Sequence, residues 1–308
     1  MNTIAIDRFG MPAMTPRAAV AAANELGESV LWSVANQEVF WIDGFAPAIH
    51  RWSPATSRHR VVPLAAAPLG MIVATTDPNS VVLTDRDGVA LFDLESGTRT
   101  GIADPERGRD GIGYNDAKVD RFGRLWVGTY DASEVEPRGC LWLLEHGRVP
   151  RLAESGMAVV NGPSFSPDGR AIYISDSIAR RILAFDVKED GSLAGRRVLA
   201  QFNADEGLPD GLTVDAQGSV WCAHWDGGRV TRFSPQGERT AVIRLPATRV
   251  TSVAFGGPEL DTLFITTARY GLTEAQLSGS PGAGSLFLVK PGVCGIAATP
   301  LLLPFACA

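Results

Sequence analysis

Short apolar runs separated by polar turns recur along the whole chain. Runs of this kind, bounded by Gly, Pro, Asn and Asp, predict β-strands. Three segments share one pattern, a polar Gly-containing turn entering an aromatic-rich strand: residues 120–126 (DRFGRLW), 167–173 (PDGRAIY) and 215–221 (DAQGSVW). Weaker copies stand at 36–41 (NQEVFW), 77–82 (DPNSVV) and 258–264 (PELDTLF). With Trp41, Val82, Trp126, Tyr173, Trp221 and Phe264 as anchors, the intervals are 41, 44, 47, 48 and 43 residues. A second short strand follows each anchor, at 50–54, 90–93, 141–144, 182–186, 230–234 and 286–289. Repeats of this length, each supplying a small antiparallel sheet, predict an all-β, six-bladed β-propeller in a single domain spanning 1–308. A β-sandwich, which also uses short strands at close spacing, is the competing fold. Residues 1–17 are expected to form a flexible N-terminal extension. The stretch 16–23 (PRAAVAAA) has helix formers yet suits a strand closing the ring equally well.

In a propeller the innermost strands run beside the axis, so residues opening them converge on the central channel. Counting back from each anchor gives Glu28, Leu69, Asn115, Asn161, Asp210 and Thr251, four of them carboxylates or carboxamides. Any one Asp or Asn before a strand is ordinarily a turn residue bonded to its own backbone. Equivalent positions in successive repeats argue for more, and Glu28, Asn161 and Asp210 are expected to meet. Hard oxygen donors of this kind suit Ca²⁺, Mg²⁺ or Mn²⁺ and also accommodate Zn²⁺ or Fe²⁺.

Composition narrows the chemistry. The 308 residues are 45% hydrophobic and 20% charged, enough apolar material for a core, with a formal charge of −6 and no basic block. A small-molecule partner follows, with neither nucleic acid nor a membrane surface indicated. Cys140, Cys222, Cys294 and Cys307 lack C-x-x-C spacing and are expected to be reduced, buried thiols. The N-terminal segment does not read as a secretion signal and no apolar run is long enough to span a bilayer, so a cytoplasmic location is expected. His50, His59, His146 and His224 form no zinc-type pairing, and only His224 is suspected of lining a pocket. A G-x-S-x-G elbow and a phosphate-binding loop are both missing from the sequence. Trp32, Trp126, Trp221 and Trp225 are able to stack on a sugar, although tryptophans in strands usually pack blades together.

Several of these segments resemble the regucalcin/gluconolactonase family. They are Leu26-Gly27-Glu28 with Trp32, 114–120 (YNDAKVD), Asn161-Gly162 with 166–169 (SPDG), 209–215 (PDGLTVD), 255–257 (FGG) and 266–272 (TTARYGL). The likeness runs from about Leu26 to Val289 and is nearest to bacterial sugar aldonolactonases. It implies a six-bladed propeller that opens aldono-1,4- or 1,5-lactones. One divalent ion would be held by Glu28, Asn161 and Asp210, with Asp210 also the general base and Asn115 touching the substrate. Asp116 is expected to help orient sugar hydroxyls. Two departures stand out. Gly113 replaces an arginine common in the family, leaving Arg109 as a candidate source of that contact, and Glu28-Ser29-Val30 replaces Glu-Gly-Pro. An arylesterase or phosphotriesterase, and a non-catalytic calcium- or sugar-binding propeller, are the rival functions.

Overall fold

The computed structural model describes residues 14–65 and 68–308. Six four-stranded antiparallel sheets follow one another around a ring. Blades 1 to 5 take their strands in chain order, and blade 6 joins Arg249–Gly256, Thr262–Ala268 and Leu286–Val289 to Arg17–Val20. Every sequence anchor falls in the second strand of its blade, and every following run in the third. The six-bladed propeller expected from the repeat is therefore the fold. The segment with two readings resolves as a strand, pairing Arg17 with Leu288 and Ala18 with Phe287. It closes the ring by joining the start of the chain to its last blade. Of the expected N-terminal extension, residues 1–13 lie outside the described residues.

Each second strand is a continuous apolar run because both of its faces are buried. In Glu38–Asp43, Val39 and Trp41 pack toward blade 6 while Phe40 and Ile42 pack toward blade 2. This is the two-residue period of a strand applied to a sheet with neighbours on either side. The described core accordingly divides into six clusters, one between each pair of adjacent blades.

Two of the three strongest repeat copies prove to be latches. In 120–126 the buried Asp120 accepts from Trp126 Nε1 at 2.9 Å and Arg124 Nε at 2.7 Å, and caps two turn amides. In 215–221 Asp215 does the same with Trp221 Nε1 at 2.9 Å and Arg232 Nε at 2.8 Å. Trp126 and Trp221 are thus blade-packing residues, as is Trp32.

The last segment, after Val289, crosses the far end of the axis. Leu301 bridges to Thr75 and is fully buried, and Ile296 and Thr299 line a cavity of about 120 Å³ there with Trp32 and Lys118. One end of the axis is therefore covered, and among the described residues the other is open.

Candidate active site

The open end carries a cavity of about 400 Å³ whose lining includes Glu28, Asn115, Asn161 and Asp210. A repeated backbone device brings these residues together. The innermost strands of five blades each hold a one-residue bulge, between Glu28 and Leu31, Tyr114 and Ala117, Asn161 and Ser164, Pro209 and Leu212, and Val250 and Val253. A bulge adds a residue without advancing the ladder and swings the local side chains out of register. Here it recurs beside the rim positions, so residues far apart in sequence face one axis. The polar residues thus lie within the inner strands of five blades. Only Leu69 precedes its strand, Ile72–Ala74.

Hydrogen bonds between blades fix this inner ring. Ser29 Oγ accepts from Ile72 N at 3.0 Å, Asn115 Nδ2 donates to the Val160 carbonyl at 3.0 Å, and Ser175 Oγ donates to the Asp210 carbonyl at 2.6 Å. Thr251 Oγ1 closes the circle by donating to the Gly27 carbonyl. The approach is close enough that a Cβ on Gly211 would lie 2.8 Å from Ser252 Cα and from the Thr251 carbonyl oxygen. Gly211 is therefore required for blades 5 and 6 to meet.

The electrostatics of the ring are unusual. Burial, reinforced by Asp210 and Asp116, holds the Glu28 carboxyl well above the ordinary carboxylate range. Burial and then Asp116 do the same to Asp210, whose Oδ1 is buried without a hydrogen-bond partner. Asn161 Oδ1 accepts from Asn115 Nδ2 at 2.7 Å, and Asn161 Nδ2 donates to Ser177 Oγ at 3.1 Å. Both Asn115 hydrogens are therefore used, which leaves its amide oxygen as the group facing a ligand. An orphaned carboxylate oxygen between crowded acidic groups is the arrangement a cation relieves.

Asp116 is placed differently from its expected role. Its Oδ2 accepts from Gly162 N at 3.2 Å, and with Ser29 and Lys118 it lines a separate void of about 30 Å³ outside the wide cavity. Burial pushes its carboxyl up to about 7 against the pull of the Lys118 ammonium. It acts on Glu28 and Asp210 through charge, and it does not reach the cavity where a substrate hydroxyl would lie. Arg109 is also elsewhere, bound to Glu106 Oε2 at 2.5 Å and the Arg138 carbonyl at 2.9 Å, so it does not replace the arginine missing at 113. Tyr130 occupies that place, paired with Gly113 across the two strands.

His224 is buried but outside the cavity lining, with its Nδ1 donating to the Glu206 carbonyl at 2.7 Å. His50 is buried as well, its Nε2 accepting from Asn24 Nδ2 at 2.9 Å and its Nδ1 donating to His59 Nε2 at 3.0 Å. All four cysteines are free thiols, yet Cys294 is exposed and Cys307 half-buried, because they lie in the final segment and not in a blade. The repeats do not single out Phe45, Tyr130, Glu134, Ile178, Arg249 or Tyr270, all of which line the cavity. Each sits in or beside a connection at the open end, where the repeat is weakest. Gly113 is the one local signal that a large neighbour was to be sought. No described helix is long and apolar enough to cross a membrane.

Residues 26–269 match the family described as SMP-30/Gluconolactonase/LRE-like region. A 6-deoxy-6-sulfogluconolactonase from Pseudomonas putida is 32% identical over 284 residues, covering 92% of this chain and 97% of that protein. An L-arabinolactonase from Azospirillum brasilense is 31% identical, covering 89% and 91%. A solved structure described as a calcium-binding protein, regucalcin, from Agrobacterium tumefaciens superposes with a TM-score of 0.88 at 25% identity, covering 94% of this chain and 98% of that one. With the family match over most of its length, and with relatives of this identity and coverage, the chain belongs to the SMP-30/gluconolactonase/LRE-like family.

Proposed function

We propose that this protein is a metal-dependent lactonase that opens sugar lactones to aldonic acids, with Glu28, Asn161 and Asp210 as the ligands of one divalent ion. The observation that carries the reading is the unpartnered Oδ1 of Asp210 beside Glu28, Asn161 and Asn115 in an open cavity. The named lactonases among the relatives support the reaction, and the calcium-binding neighbour supports the ion. The donor set is all oxygen and fits Ca²⁺, Mg²⁺, Mn²⁺, Zn²⁺ or Fe²⁺.

When bound, the ion supplies Lewis acidity toward the lactone carbonyl and offsets the charge of the two carboxylates. The protein's own groups do the rest. Asn115 accepts a hydrogen bond from a substrate hydroxyl through its amide oxygen and so sets the ring over Asp210. The Asp210 carboxylate accepts a proton from water as that water adds to the carbonyl carbon. The ring C–O bond then breaks, and the same proton passes to the departing ring oxygen, which becomes the hydroxyl of the hydroxy acid. Asp116 and Lys118, behind this floor, offset one another's charge. An open cavity above Asp210 favours turnover over a closed storage site. Four free thiols agree with a reducing compartment, and a cytoplasmic location belongs to the same proposal.

Proton release is followed on adding aldono-1,4- and 1,5-lactones to protein loaded with each metal in turn. Asp210→Ala is expected to lower kcat/KM by roughly 100- to 10,000-fold, the usual weight of a general base. Equal rates for the two proteins would sink the assignment, and a chelator is expected to abolish the activity until one ion restores it.

A further inference from the structure

The two ends of the axis differ in charge. The open cavity is lined by the carboxylates of Glu28, Glu134 and Asp210 and by one guanidinium, that of Arg249. The cavity of about 120 Å³ under the last segment is lined by Lys118 and Arg121 and, among the described residues, by no carboxylate. Lys118 belongs to the inner strand Ile112–Val119 and lines both this cavity and the void of about 30 Å³. Among the described residues no hydrogen bond and no ion pair reaches its ammonium, and Asp116 acts on it through charge alone. An enclosed cation without a partner is costly, and burial accordingly lowers the pKa of this one. The hydroxyls of Ser164, Thr213 and Thr299, on the same lining, likewise make no hydrogen bond among the described residues. Arg121 is exposed at the edge of the cavity, where it donates to the Asp168 carbonyl and so spans blades 3 and 4.

A cavity of this size has several times the room that one water takes. Water would hydrate the ammonium but leave its charge unbalanced, whereas an anion balances the charge and accepts hydrogen bonds from the ammonium and the hydroxyls together. We propose that this far-end cavity binds a small oxyanion, inorganic phosphate or a short carboxylate, with Lys118 as its counter-ion, Ser164, Thr213 and Thr299 as neutral donors, and Arg121 at the entrance. A cation is excluded by the same two positive charges, so the ends of one axis select ligands of opposite sign. The site uses none of the residues assigned to the lactone or the divalent ion, and it stands whether or not that reading does.

The test is calorimetric titration of the full chain with inorganic phosphate and, separately, with acetate, at constant ionic strength and both with and without a chelator. Saturable binding of at least one of the two anions is expected, and it is expected to persist in chelator, which separates this cavity from any ion held at the open end. Lys118→Met keeps the length of the side chain and removes the charge, and it is expected to weaken binding by roughly 30-fold or more, the weight of one partner of an enclosed charge pair. Arg121→Gln, at the exposed edge, is expected to weaken it by about 2- to 5-fold, as for a solvated ion pair, and reads the site independently of any effect of the Lys118 change on folding. A preference for phosphate or for acetate identifies which oxyanion the cavity takes. Failure of both anions to bind, binding that disappears in chelator, or binding that both variants leave unchanged overturns the proposal.

Discussion

His50 and His224 are neutral because they are buried, and burial lowers both to about 4 from an ordinary 6.5. For His50 the repulsion of His59 adds to the effect. The unfolded chain binds these protons near pH 6.5 and the folded protein only near pH 4, so stability falls as pH drops through that window and is full above it. The loss amounts to about 2 kcal/mol per histidine by pH 5. Proton NMR of the two rings is expected to give midpoints near 4, and midpoints near 6.5 would show that the rings reach solvent. Glu28, Asn161, Asp210 and Asn115 were legible at this scale because equivalent positions in successive repeats must share an environment. Asp116 was not, since residues adjacent along an inner strand face different spaces and a bulge decides which. The roles of these five side chains belong to the proposal above.

At the scale of the element, the repeat unit that first drew attention does structural work. Asp215 receives Trp221, Arg232 and two turn amides, and among the described residues it is the carboxylate that Arg232 pairs with. Removing one partner of a buried, hydrogen-bonded pair costs about 3–5 kcal/mol, because the other charge stays buried. Asp215→Ala is expected to lose about that much in urea unfolding, with its lactone-opening activity intact at low denaturant. A loss near zero would show that the latch is not holding blade 5. The turn spacing made these segments visible in the sequence. What each aspartate binds was hidden, since Arg232 lies in the next strand and comes beside Asp215 only when the hairpin forms.

For the whole molecule, ring closure brings the carboxylates of Glu28, Asp116 and Asp210 close enough on the axis to act on one another. An ion that binds only the folded ring stabilises it by about 4 kcal/mol at 1,000 times its Kd. Thermal unfolding is therefore expected to shift upward on adding the cognate ion and downward in chelator. A Tm that responds to no divalent ion would remove the axial metal. The sequence by itself determined the number of blades, the identity of the strands and the polar positions of the inner ring. These follow from local periodicity, because strands buried on both faces must repeat their apolar pattern. Only the tertiary structure decided how the N-terminal strand closes blade 6, how the last segment covers one end of the axis, and that Tyr130 fills the space left by Gly113. Each of these joins parts of the chain whose own residues carry no periodic signal. Their meeting is set by ring closure and by steric fit, which exist only once the blades have packed.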